Sequence, residues 1–215
     1  MVSTRSKANG NGTAAAAAAA FVHTPTNFTL LWMFVSLPLV VWDTIYVLGR
    51  PWTMPGGAWH YPLWVPYELY GNVDHVYGWK AFNAGNGFTS AQGFLNAVET
   101  AMYFYYLYLV YARGGSDRTV EGRTAARATI VAFSAAVMTL SKTVLYWANE
   151  YYSGFDNIGH NSLIDLVFLW IIPKYVAHQP SLELHRHMLT REKLPQRRLA
   201  RWLYLHDLEH WWRDC

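Results

Sequence analysis

The chain has 215 residues, of which 53% are hydrophobic, 17% aromatic and only 14% charged, against about 25% charged in an average soluble domain. That balance excludes a disordered chain, a collagen and a coiled coil, and a net charge of +3 is too small to argue for a nucleic-acid partner. The single cysteine, Cys215, excludes an internal disulfide framework and any zinc cluster built on several cysteines.

Residues 1–27 read as a disordered tail, with the Ala14–Ala20 run a low-complexity feature. The run is too weakly apolar for a signal peptide. A membrane-crossing helix needs about 20 mostly apolar residues. Residues 29–49, 92–112, 127–147 and 160–177 meet or nearly meet that need, with Asp43, Glu99, Lys142 and Asp165 inside them. The expected fold is therefore all-α: a polytopic membrane bundle of four helices, or five, over residues 28–178. Between the first two spans lies a long loop, residues 50–91, rich in Trp, Tyr, Pro and Gly. It reads as a partly embedded cap with the aromatics of a membrane interface. Residues 179–215 alternate basic and apolar residues and read as an amphipathic tail on an anionic leaflet. Lys and Arg concentrate in the tails and the second loop, which puts both termini in the cytosol. The sequons at Asn11 and Asn27 then face the cytosol and are expected to carry no glycan.

A charge inside a span costs roughly 2.5–3.5 kcal/mol, so such residues face a bundle interior or a wet cavity. At 1.5 Å rise per residue, Asp43, Glu99, Lys142 and Asp165 each sit roughly 8–10 Å from the luminal end of their helix. Four helices would thus bring one ionisable group each to one level. One alternative is that these are structural ion pairs, in which Lys142 with Asp165 or Asp43 would neutralise two of the four. One lysine cannot neutralise three acids, and a leftover carboxyl in a low-dielectric pocket tends to hold its proton and can act as a general acid. Glu99 and Asp43 are the expected acid/base pair. Asp74, His75 and Glu150, in the loops at the cavity mouth, are candidate shuttle groups. Trp42, Tyr46, Asn96, Tyr103, Tyr146, Asn149, Asp165 and Trp170 are candidate lining residues, although for most of the aromatics packing and interface anchoring explain the sequence better. An aromatic wall beside a carboxylate suits a cation, either an amine or a carbocation. No hydrolase elbow, phosphate loop, dinucleotide fingerprint or His-rich metal spacing is present, so no cofactor and no metal are expected.

The acid in the first span, Glu68 and the Asp74-His75-Val76-Tyr77-Gly78 run, and Asn96-Ala97-Val98-Glu99-Thr100 together resemble the emopamil-binding protein superfamily, the EXPERA domain. Tyr146-Trp147-Ala148-Asn149-Glu150, Gly154-Phe155, Gly159-His160 and Trp170 with Pro173 extend the resemblance over residues 30–178. It implies four or five helices, a cavity for a sterol and, as in the family's sterol isomerase, proton transfer through a carbocation. It also implies binding of amphiphilic amines that mimic the cation, and residence in the endoplasmic reticulum. Glu99 matches the family's second-helix glutamate, and Asp43 stands where the isomerase has a glutamate. Leu39 and Met102 stand where it has a histidine and a threonine, and its last-helix asparagine has no clear counterpart. The resemblance therefore implies a diverged member: an isomerase or cyclase of a sterol-like or terpenoid substrate, or a non-catalytic binder like the sigma-two receptor branch. The expected partners are a hydrophobic small molecule and membrane lipids, and a homodimer is compatible with this reading. A weaker alternative is a chaperone whose spans dock another membrane protein.

Overall fold

The computed structural model describes residues 21–172. The end of the expected fourth span with Pro173, and the basic tail, lie outside the described residues. In chain order the elements are β1 (Val22–His23), α1 (Asn27–Leu48), α2 (Pro66–Val73), α3 (Trp79–Asn83), α4 (Phe88–Arg113), β2 (Val120–Glu121), α5 (Gly122–Tyr152) and α6 (Leu163–Asp165). The last continues directly into π-helical turns over Leu166–Ile171.

Helix α1 starts where Thr26 accepts a hydrogen bond from the Thr29 amide (3.1 Å), filling one of the donors a helix start leaves open. It ends at Gly49, whose following residue Arg50 turns its guanidinium back on the Val47 carbonyl (3.1 Å). Strands β1 and β2 pair antiparallel, Val22 opposite Glu121, and close the end of the bundle where α1 begins and α4 gives way to α5. The segment read as a wholly disordered tail therefore contributes residues 22–23 to the fold.

Helix α1 packs on α4, and α4 packs on α5. The α5 face that makes this possible is a stripe of small residues, Ala125, Ala128, Ala132, Ala135 and Ala136, all buried. Spacings of three and four bring them to one face, and the missing side-chain bulk lets backbones approach closely. Met33, Leu37, Tyr106, Leu109 and Val110 fill the seam. On the outside, Leu31, Phe34 and Leu39 of α1, Phe94 and Phe104 of α4, and Ile130, Val144 and Leu145 of α5 stand exposed. A soluble monomer rarely shows so continuous an apolar surface.

Two helices, α1 and α5, are long and apolar enough to cross a membrane. Helix α4 has 26 residues but is not apolar enough by the same measure. Its tyrosines, Asn96 and Glu99 dilute its apolar content. The fourth expected helix is short among the described residues, which hold three long helices rather than four. Its expected start at His160 is instead part of a turn, with Ser162 capping α6.

The cap over the bundle is built from α2, α3 and turns. Its sharpest constraint is the crossing of Gly71 and Gly78: a Cβ on Gly78 would lie 2.6 Å from the Gly71 carbonyl oxygen, so no larger residue fits. Arg50 clamps the same segment through the Val76 carbonyl (3.1 Å) and Ser90 Oγ (3.1 Å), and Thr89 Oγ1 also donates to the Val76 carbonyl (2.6 Å).

Overpacking the alanine stripe should break the seam. Ala132→Leu is expected to cost about 1–3 kcal/mol and to lower the thermal midpoint in micelles, whereas Ile130→Leu on the outer face should leave it within error.

Candidate functional site: a polar chain along an apolar cavity

A cavity of about 520 Å³ lies between α1, α2, α4 and α5, within the roughly 300–1,000 Å³ range of small-molecule sites. Trp32, Leu37, Val40, Leu69, Trp147 and Leu169 give it a largely apolar and aromatic lining. Helix α4 contributes Gln92, Asn96, Glu99, Thr100 and Tyr103, one stripe at helical spacing. From Gln92 to Tyr103 that stripe runs about 16 Å.

One wall carries a continuous polar chain. Tyr67 of α2 donates its hydroxyl to Asp43 Oδ1 of α1 (2.7 Å), and Asn96 Nδ2 of α4 reaches Asp43 Oδ2 (3.4 Å). The Asn96 carbonyl oxygen in turn accepts from Lys142 Nζ of α5. Lys142 pairs with Glu99 Oε2 at 2.6 Å, and Thr139 Oγ1 donates to Glu99 Oε1 at 2.6 Å. Both partners of the ion pair are close to fully buried. Burial, and then the neighbouring Asp43 charge, push the Tyr67 phenol far above its ordinary range, so it stays a proton donor to Asp43. Asp43 itself is half-buried and faces the cavity.

Of the residues expected at this site, Asp43, Glu99, Trp42, Asn96, Tyr103 and Tyr146 line the cavity. Lys142 neutralises Glu99, not Asp43 or Asp165. Asp165 is exposed and does not line the cavity. Its carboxylate accepts from Ser162 Oγ (2.7 Å) while its amide donates back to that oxygen, a reciprocal helix cap. Asp165 is displaced because the chain turns until Ser162, placing it in the first turn of its helix rather than deep within one.

Asp74, Tyr46 and Trp170 are buried behind the lining rather than in it. Asp74 accepts from the Tyr146 hydroxyl, from Trp170 Nε1 (2.7 Å) and from the Val76 amide (3.3 Å). It fastens α5 and the π-helical segment to the cap. Tyr46 donates to the Tyr77 carbonyl (3.0 Å) and stacks on Tyr67 with ring centroids 3.8 Å apart, holding that phenol against Asp43. Glu150 is fully buried; its Oε1 accepts from Asn157 Nδ2 (2.9 Å) and Asn149 Nδ2 (3.3 Å), inside the turn that follows α5. His75 stacks flat on His160, centroids 4.0 Å apart. Neither His75, Asn149 nor Glu150 lines the cavity. These residues were expected at the mouth because they close or follow the spans in sequence. Instead His75 lies in the cap, and Asn149 and Glu150 end α5, where the following turn brings Asn157 back onto Glu150.

Two participants went unread in the sequence, Tyr67 and Thr139. Thr139 continues the alanine stripe, and the same spacing leads on to Lys142, Thr143 and Tyr146, so the packed face of α5 pointed at it. Tyr67 follows Pro66 at a helix start, but nothing local ties it to Asp43, 24 residues earlier.

Trp170→Phe and Tyr146→Phe each remove one donor to the buried Asp74 carboxylate. Each should cost about 1–3 kcal/mol, and the double variant should cost measurably less or more than their sum; strict additivity in unfolding experiments would show that Asp74 does not couple them. Burial, with the neighbouring His160 and Lys80, lowers the affinity of His75 for a proton. The unfolded chain therefore takes up that proton first, and stability should fall as pH drops below the ordinary histidine value of 6.5. His75→Gln should flatten that part of the pH–stability curve.

No family model, curated protein or solved structure matches this chain.

Proposed function

We propose that the chain is an integral membrane protein of the emopamil-binding type, with four spans, cytosolic termini and residence in the endoplasmic reticulum. We propose further that it is an isomerase or cyclase of a sterol-like or terpenoid substrate, working by proton transfer through a carbocation. The observation that supports this reading is the polar chain from Tyr67 to Thr139 along the wall of an otherwise apolar, aromatic cavity. An alkene needs an acid to protonate it, a dry aromatic and anionic surround to hold the cation, and a base to take a proton from a neighbouring carbon. Asp43, in its protonated form, serves as the acid, because it lines the cavity at the end of the polar chain, where Tyr67 and Asn96 hold it. The Trp42 and Tyr103 rings and the Glu99 carboxylate, fixed by Lys142, face the cation. Asp43, having given up one proton, takes the next, and the double bond shifts or a ring closes.

A second reading rests on the engagement of Glu99 at both oxygens, by Thr139 and by Lys142. A carboxylate held so firmly serves as a fixed charge, and the cavity would then bind an amphiphilic amine or lipid without turnover.

Solvent deuterium separates the two. Membranes carrying the wild-type chain are incubated in deuterated water with sterol and terpenoid alkenes, and the lipids are read by mass spectrometry. Label is expected in a shifted or cyclised product, reduced about 10²–10⁴-fold in Asp43→Asn and also reduced in Glu99→Gln. Saturable binding of the same lipids with no label in any sample would establish the binder.

A further inference from the structure

The proton transfer proposed above uses Lys142 only to fix Glu99. The residue lines the cavity, its side chain is 11% exposed, and its ammonium group is held between Glu99 Oε2 and the Asn96 carbonyl oxygen. The other lysine among the described residues, Lys80, is exposed and paired with Asp156 across 2.9 Å. A buried cation in an apolar site is costly unless something keeps it there, and a salt bridge alone is often no better than apolar packing. A lysine amine with a carboxylate beside it, at the wall of a largely apolar and aromatic cavity, has the parts for Schiff-base chemistry.

We infer that Lys142 captures a hydrophobic aldehyde covalently, as an imine, with Glu99 as counter-ion. Glu99 takes the proton that the pair shares, and the freed lone pair of Nζ attacks the carbonyl carbon. A C–N bond forms, the carbonyl oxygen takes up two protons and leaves as water, and C=N forms. The nitrogen ends protonated opposite the Glu99 carboxylate. Aldehyde plus lysine ammonium gives iminium plus water, with no oxidant or reductant. Glu99 is ready for both halves: its Oε2 faces the amine while Thr139 holds its Oε1 at 2.6 Å. The apolar walls and the about 16 Å run of the α4 stripe suit a long isoprenoid or fatty aldehyde. The inference shares the cavity with the proposed isomerase but not its proton chemistry.

The probe is all-trans-retinal, with retinol, which has no carbonyl, as its non-reactive match. The purified chain in lipid nanodiscs is incubated with retinal, reduced with borohydride and mapped by mass spectrometry. The expected result is a retinyl adduct on Lys142 and, before reduction, a red-shifted absorbance band. Lys142→Arg should lose both while still binding retinol, which shows that it folds. Glu99→Gln should keep the adduct but shift the band to the blue, because an iminium without its counter-ion gives up its proton and becomes the neutral imine. Saturable retinol binding with no adduct on Lys142, or labelling of Lys80 to the same extent, overturns the inference and leaves the isomerase reading standing. Failure to bind either molecule overturns it too and also counts against the cavity as a terpenoid site.

Discussion

The architecture depends on how an ammonium and a carboxylate are kept in an apolar interior. Lys142 and Glu99 come from two helices and meet at 2.6 Å. Neither could stay charged there alone, since removing one partner of a buried pair typically costs about 3–5 kcal/mol. The pair needs further partners for its remaining hydrogen-bonding capacity, and Thr139 and Asn96 supply them. Asn96 then passes the connection to Asp43, and Asp43 to Tyr67. Satisfying one charge thus draws four elements around a common space, and the cavity is what remains between them.

A second buried carboxylate does different work. Asp74 collects donors from Tyr146, Trp170 and the Val76 amide. It is the point where the cap, α5 and the π-helical segment are joined. The two carboxylate clusters share a boundary at Tyr146, which lines the cavity with its ring and donates its hydroxyl behind the wall. The rigidity of the cap therefore bears on the shape of the cavity, through one side chain.

How far the sequence could be read depended on the range of the interaction. Apolar length marked α1 and α5, and charges within apolar runs marked Asp43, Glu99 and Lys142 as inward-facing, because both signals are local. Partnership was another matter. Depth along a helix placed Lys142 level with three acids, but rotation about each helix axis decides which acid it meets, and that is set by the alanine stripe on α5 and the seam it makes with α4. Asp165 failed for a local reason: Ser162 stops the turn and starts a helix there, so the aspartate caps rather than inserts. Asp74 and Glu150 looked like mouth residues because chain order cannot show that the Gly71–Gly78 crossing and the turn after Tyr152 fold back over them.

The order of these residues along the chain bears on how the protein is made. Glu99 and Lys142 belong to consecutive helices, α4 and α5, joined by a short turn whose strand β2 is already paired with β1. A helical hairpin of these two can therefore form with its two charges cancelled against each other, without waiting for the rest of the bundle. Asp43 is placed differently: Tyr67, which donates to it, lies beyond the helix end in the cap, and Asn96 lies in the hairpin. The first helix therefore completes these polar contacts only with segments translated after it, so assembly has a built-in dependence of its first segment on the later ones.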